Sequence, residues 1–180
     1  LSFVQKLIND KKFSEIESFL AGAHETMQKN RYAAFPVVAA PYGMALGGGC
    51  ETCLASDRIV AHTELIMGLV EIGVGLLPAG GGCLNLWKKY VQALPGKTAK
   101  DTDLGKLFVP VFMNISTAGI SMSAKQAVGK GFLGLNDRIV MNRDNLIGEA
   151  KKEVLKMVDD GYVPPAKQQL IAMGTAAQGM

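Results

Sequence analysis

Two glutamates and two glycine runs are the residues of this chain whose types and spacing suit chemistry. Residues 37–51 read Val-Val-Ala-Ala-Pro-Tyr-Gly-Met-Ala-Leu-Gly-Gly-Gly-Cys-Glu, an apolar run, a glycine run at Gly47, Gly48 and Gly49, and then Glu51. Glu71 follows inside Met67-Gly-Leu-Val-Glu-Ile-Gly-Val-Gly-Leu-Leu-Pro, and Pro78-Ala-Gly-Gly-Gly82 forms a second glycine knot. Glycine has no Cβ, so a ligand can touch the backbone at such runs. A helix opening there aims unpaired N–H groups outward, which suits an oxyanion such as a thioester or phosphate oxygen. A carboxylate among apolar neighbours loses solvation, which raises its pKa and suits proton transfer near neutral pH. Plainer readings stay open. Glycine turns before helices are also packing devices, a glutamate in a first helical turn answers the helix dipole, and a single glutamate in an apolar run can be an exposed point.

The elements that must position these residues are short. Ser14 and Glu17 match a capping box, and Ile16, Phe19, Leu20, Ala23 and Met27 recur at helical spacing, so the pattern predicts an amphipathic helix over 15–30. Val37 to Ala40, bounded by prolines, predicts a short buried strand, and 58–61 and 138–141 predict two more. Helices are expected over 50–56 and 84–91. Residues 66–75 are apolar with no assigned element, 95–105 read as loop, and 107–115 are ambiguous. Ser123 and Gln126 match a second capping box with Gly131 as its C-terminal cap. Asn142 or Asp144 is expected to cap a long helix with apolar positions Ile147, Ala150, Val154, Leu155 and Val158. Short apolar strands alternating with helices indicate an α/β fold with buried strands.

Composition narrows the class. At 180 residues, 48% hydrophobic and 19% charged, the chain can bury a core and amounts to about one domain. Its 21 glycines cluster without period three, which excludes collagen. A net charge of +3 is too small and scattered for a dedicated nucleic-acid binder. Three cysteines imply no disulfide framework, so a reducing, cytoplasmic setting is expected. The uncharged runs from Tyr32 to Cys50 and from Leu107 to Ala124 are interrupted by proline, and the first also by glycines, so no membrane span is expected. Cys50 and Cys53 lack a second pair or histidines and are expected to be buried structural residues, with no metal site. Cys83 is expected to be packing. His24 and His62 are single. The glycines at 73–82 spell no dinucleotide fingerprint. Lysines 88, 89, 97, 100 and 106 read as a solvated face. Met27, Met44, Met67, Met113, Met122 and Met157 read as core filler.

Ala40-Pro-Tyr-Gly-Met-Ala-Leu-Gly-Gly-Gly-Cys-Glu-Thr-Cys-Leu-Ala-Ser-Asp-Arg-Ile-Val-Ala61, followed by Met67 to Gly82, resembles the core signature of the crotonase (enoyl-CoA hydratase/isomerase) superfamily. Residues 120–134 and Asp137-Arg-Ile-Val140 are similar to its later helix, glycine turn and strand. The stretch 137–147 is similar to the crotonase domain fused to a 3-hydroxyacyl-CoA dehydrogenase in bacterial fatty-acid oxidation proteins. The resemblance covers about 14–160.

It implies an α/β spiral of ββα units. It also implies an enoyl-CoA hydratase, a lyase of β-oxidation, with Glu51 and Glu71 as catalytic carboxylates and the Gly48 N–H as an oxyanion donor. Gly47 and Ala79 are implied as substrate-binding positions. The family's usual Pro-Gly is here Pro78-Ala79, a small change if only the backbone N–H serves. The implied partner is an acyl-CoA thioester, with coenzyme A as part of the substrate and no separate cofactor. A homo-oligomer or a fused dehydrogenase domain is implied as well, and no nucleic acid or membrane. The chain starts at Leu1, not Met, and is expected to be a piece of a longer polypeptide. Residues 1–160 would form a partial domain lacking its N-terminal part, where a second oxyanion donor and the loop for the CoA adenine are expected. Residues 161–180 would form a tail. Three alternatives remain: an enoyl-CoA isomerase on the same scaffold, a non-catalytic acyl-CoA-binding or assembly module, and part of a dehydrogenase.

Overall fold

A computed structural model describes residues 2–92 and 103–167. It opens with a helical hairpin, α1 (Ser2–Asn9) and α2 (Phe13–Arg31). The capping box expected at Ser14 is not formed. Helix α2 starts two residues earlier, at Phe13, Lys12 takes the cap position without a side-chain bond, and Lys12 pairs with Glu15 at 2.9 Å. Phe19 and Leu20, read from spacing as a core face, are exposed, and α2 buries no residue. Phe19 packs instead on Phe3 of α1, edge to face at 5.5 Å.

Two ββα units come next. The first is β1 (Val38–Ala39), β2 (Met44–Leu46) and α3 (Gly48–Leu54). The second is β3 (Arg58–His62), β4 (Ile66–Gly68), a 3₁₀ turn at Glu71–Val74 and α4 (Gly82–Gln92). β1 pairs parallel with β3, Val38 opposite Arg58, and β2 pairs parallel with β4, Leu46 opposite Gly68. Each unit therefore sends its first strand to one sheet and its second to the other, which stacks the units as turns of a spiral. The chain continues through α5 (Leu104–Ser116), β5 (Ile120–Ser121), α6 (Ala124–Gly129), β6 (Arg138–Val140), a 3₁₀ turn at Arg143–Asn145 and α7 (Leu146–Asp159). The sheets have the orders β1-β3-β6, all parallel, and β2-β4-β5, with β5 antiparallel to β4.

The expected strands at 37–40, 58–61 and 138–141 are present as β1, β3 and β6. Strands β2, β4 and β5 span only two or three residues, too short to display a period of two. The ambiguous 107–115 stretch lies in α5, capped by Asp103, which accepts the Gly105 N–H at 3.1 Å. The second capping box forms in its first half: Ser123 Oγ accepts the Gln126 N–H at 3.1 Å, while Gln126 Oε1 reaches one residue further back and accepts the Met122 N–H at 2.6 Å. Gly131 is left-handed, with φ of 73°, as a C-terminal cap requires. Asn142 caps the 3₁₀ turn before α7 by accepting the Asp144 N–H.

The main core gathers Cys50, Leu54, Ile59, Met67, Leu69, Leu86 and Phe132 between the β2-β4-β5 sheet and α3, α4 and α6. A smaller cluster of Val60, Leu146 and Ala150 seats α7 on the other sheet. The buried stripe of α7 is Leu146, Ala150 and Glu153, so Ile147, Leu155 and Val158 face solvent, contrary to the periodicity reading. Glu153 is buried because Arg58 and Arg138 of the underlying strands reach it, at 3.2 and 3.6 Å. Of the methionines read as core filler, Met67 is buried while Met44, Met113 and Met122 are exposed. Lys106 is solvated as expected, but Lys89 forms a buried ion pair with Asp137. Lysines 97 and 100 lie outside the described residues, as does the end of the expected tail, residues 168–180. No helix among the described residues is long and apolar enough to cross a membrane.

Candidate active site

Parallel pairing explains why residues 51 and 71 meet. β2 and β4 run side by side and end level, so the segments leaving the two strands emerge at the same end of the sheet. The Gly47 N–H closes this end by donating to the Gly68 carbonyl at 2.9 Å. Gly47 has φ of 57°, which favours glycine, and turns the chain into α3. Gly48 begins that helix and Glu51 stands in its first turn. After β4 the chain makes its 3₁₀ turn at Glu71, stopped by left-handed Gly75.

The glycine runs are shaped around the two carboxylates. A Cβ on Gly47 would lie 3.4 Å from Glu71 Oε1. A Cβ on Gly80 would lie 2.5 Å from Glu51 Oε2, and one on Gly82 would lie 3.0 Å from Glu51 Oε1 while also striking Leu69 and Pro78. The Gly82 N–H donates to Glu51 Oε1 at 2.8 Å, inside the protein. Each carboxylate thus packs against the backbone of a glycine turn, and Glu51 is also held by one of its amides.

The two environments differ. Glu51 is buried and anchored. Both oxygens of Glu71 are sealed from solvent, and among the described residues neither has a hydrogen-bond partner. Burial pushes the Glu71 carboxyl above the ordinary carboxylate range, and the charge of Glu51 adds to the rise. The nearby amides of Glu71 and Val70 oppose it without reaching hydrogen-bond geometry. This is the desolvated state expected for a glutamate in that apolar run.

Gly48 differs from its neighbours. It is exposed, and a Cβ there would meet nothing within 4 Å, so the protein itself places no demand for glycine at 48. Ala79 is exposed in the turn between the 3₁₀ turn and α4, beside Gly80. Cys50 and Cys53 are buried in α3, as expected, and burial raises both thiols, Cys53 to about 11. His62 lies elsewhere, against the Met141 carbonyl.

Two features escaped the sequence reading. The roles of Gly80 and Gly82 were hidden in a glycine knot whose length was visible but whose target was not. Cys83, taken as packing, is exposed at the start of α4. A cysteine gives no sequence signal for which way it faces, and the glycine knot before it was the available hint.

The family model described as enoyl-CoA hydratase/isomerase matches residues 5–100, just over half of the chain. A Bacillus subtilis protein named "Probable 3-hydroxyacyl-CoA dehydrogenase" is 37% identical over 174 residues, 97% of this chain and 21% of its own length. The fatty acid oxidation complex subunit alpha of Idiomarina loihiensis is 42% identical over 69 residues, 38% of this chain and 10% of that protein. Among solved structures, an enoyl-CoA hydratase from Bacillus anthracis superposes with a TM-score of 0.64 at 24% identity, over 82% of this chain and 49% of the other. The chain therefore spans about a fifth or less of these curated relatives and about half of that solved structure. With the ββα spiral, the paired glutamates and this match across the glycine-rich half, the chain belongs to the enoyl-CoA hydratase/isomerase family.

Proposed function

We propose that the site hydrates 2-enoyl-CoA thioesters as one component of cytoplasmic fatty-acid β-oxidation. The observation that carries this reading is the contrast between the carboxylates. Glu51 is fixed by the Gly82 amide, whereas Glu71, half-buried, has both oxygens sealed from solvent and without a partner among the described residues, and its pKa is raised. Paired carboxylates in unlike environments divide acid and base roles. Glu71, biased toward its protonated form, delivers a proton to C2. Glu51 takes a proton from the water whose oxygen bonds to C3. The π pair of the 2,3 bond moves through the thioester as these bonds form, and the Gly48 N–H meets the charge that develops on the thioester oxygen. Water is added across the double bond, and the two carboxyls have exchanged one proton. Gly47 and Ala79 flank the thioester through their backbone. Coenzyme A enters as part of the substrate.

The test is turnover of crotonyl-CoA, followed by loss of its conjugated absorbance, beside a 3-enoyl-CoA of equal length. Water addition to the 2-enoyl thioester with little shift of the 3-enoyl bond supports hydration. Movement of the 3,4 bond without net water uptake would replace it with isomerisation. Binding of both thioesters unchanged would leave a non-catalytic module. With Gly48 as the single assigned oxyanion donor, turnover by the 180-residue chain is expected to lie about 10² to 10³ below that of a two-donor site.

A further inference from the structure

A strained residue stands beside the turn that carries Glu71. Ala118, two residues past the end of α5, has φ of 49°, a left-handed conformation that glycine adopts freely and that strains any residue with a Cβ. Gly119 follows it, yet Gly119 is not left-handed. Its missing Cβ serves close packing instead. A Cβ there would lie 3.2 Å from the Asn114 carbonyl oxygen, and the Gly119 carbonyl oxygen itself lies 2.7 Å from where a Cβ on Gly68 would stand. Ending α5 therefore does not call for a methyl at 118, since a left-handed glycine would end it with less strain. Strain of this kind beside a site is grounds for a functional reading.

The methyl is held in place and has a specific neighbour. The Gly119 N–H donates to the Asn114 carbonyl at 2.8 Å, and the buried Asn114 side chain donates to the Lys130 carbonyl at 2.8 Å. Ile120 of β5 pairs with Gly68, so the chain at 118 passes where β4 gives way to the Glu71–Val74 turn. A Cβ built on Gly73, inside that turn, would meet the Ala118 methyl at 3.8 Å, ordinary van der Waals contact. Among the described residues it would meet no other element within 4 Å. The turn is otherwise loosely held. The Gly73 N–H donates to the Val70 carbonyl and the Leu76 N–H to the Glu71 carbonyl, each at 3.0 Å, so these bonds close locally, and none of the four turn residues is buried. Gly47 bounds the Glu71 carboxyl, and Ala118 bounds the backbone that carries it. We propose that Ala118 is a positioning residue, whose methyl props the Glu71–Val74 turn and so keeps the Glu71 carboxyl where it delivers its proton to C2. This rests on the proposed hydratase site.

The experiment compares Ala118→Gly with Ala118→Ser in the full chain. Glycine removes the Cβ and relieves the strain, whereas serine keeps both. Three quantities are read: melting temperature, hydrogen exchange of the amides at 72–76, and kcat and KM for crotonyl-CoA. In Ala118→Gly the melting temperature should not fall, because relief of left-handed strain offsets the freedom that glycine adds to the unfolded chain. Exchange in the turn should rise by about fourfold, the factor that one methyl of lost contact is worth. The kcat should drop by about tenfold to a hundredfold, as for a misplaced catalytic group, with KM little changed. Ala118→Ser should match the parent in exchange and in kcat. If the parent hydrates crotonyl-CoA and Ala118→Gly keeps its kcat, the inference fails alone. Parent-like exchange in Ala118→Gly, or a loss of kcat in Ala118→Ser equal to that in Ala118→Gly, would also overturn it, because the Cβ would then not be what holds the turn. If the parent shows no hydration, the reading of the site fails and the catalytic part of the inference with it, while exchange still decides whether the methyl props the turn.

Discussion

Glu51 and Glu71 are the same side chain in two settings, and the difference yields separate predictions. Glu51→Gln and Glu71→Gln keep size and remove the ionisable group, so each should lower kcat by about 10² to 10⁴. If both act on one water, the double variant should be far less than multiplicatively worse. An isomerase would show a severe loss for Glu71→Gln and a mild one for Glu51→Gln. The pH dependence of stability separates Glu71 further. Its folded pKa is raised above the unfolded value, so its contribution to stability is full below the ordinary carboxylate range and is lost as pH rises through the raised value. Glu71→Gln escapes that loss. The melting temperature of the variant relative to the parent should therefore be highest at neutral pH and fall back on acidification. A difference that does not change with pH would mean the carboxyl is not desolvated. Gly48→Val is the complementary test. With open space at that Cβ, its melting temperature should stay within about 2 °C of the parent, as for other surface changes. Turnover should fall by about 10² or more, because a branched side chain would stand where the thioester oxygen meets the N–H. More than a residual activity would place the carbonyl elsewhere.

At the scale of elements, the turn from Pro78 to Gly82 couples α4 to the Glu51 carboxylate. Gly80→Ala puts a methyl 2.5 Å from Glu51 Oε2, against a carboxylate already held on its other oxygen. Overpacking of this kind costs about 1 to 3 kcal/mol, and the strain falls on Glu51 itself. Unlike Gly48→Val, this variant should lose both melting temperature and kcat. Retained kcat with lowered stability would show that Glu51 tolerates displacement. The same turn shows how far the sequence could be read. The glycine knots, the two glutamates and the strands of the β1-β3-β6 sheet were legible because each leaves a local mark: missing Cβ atoms, a charge in an apolar run, or a short apolar run with β-branched residues, bounded by prolines at β1. The β2-β4-β5 sheet left none, since its strands are two or three residues each and sit inside glycine-containing or longer apolar stretches with no bounded β-branched run of their own. Yet the level ends of β2 and β4 are what bring residues 51 and 71 together. Resemblance supplied that pairing where periodicity could not. The α7 stripe failed for a different reason: Glu153 occupies a core position because two arginines from other strands satisfy it, a long-range compensation that helical spacing cannot encode.

Across the whole molecule, Asp137 ties the spiral's successive turns. Its Oδ1 accepts the Ile59 N–H of β3 at 2.7 Å, and its Oδ2 accepts the Gly134 N–H at 2.7 Å and the Lys89 ammonium of α4. Lys89 also donates to the Phe132 carbonyl at 3.1 Å. One carboxylate therefore joins the first strand of the second ββα unit, the helix of that unit and the link between α6 and β6. Both side chains are largely withdrawn from solvent, at 15% and 5% exposure, so the pair is not screened as a surface pair would be. Removing one member of a buried pair leaves the other charge uncompensated, at a cost of about 3 to 5 kcal/mol. Asp137→Ala also strands two backbone donors, whereas Lys89→Met keeps the carboxylate's two amide bonds and fills similar volume. Urea unfolding should accordingly rank Asp137→Ala as the more damaging of the two. Glu51 lies at the other end of α4, against Gly82, so Lys89→Met should reduce stability while leaving the pH profile of turnover in place. Equal losses in the two variants would mean that the ion pair, and not the backbone donors gathered on Asp137, holds the turns together.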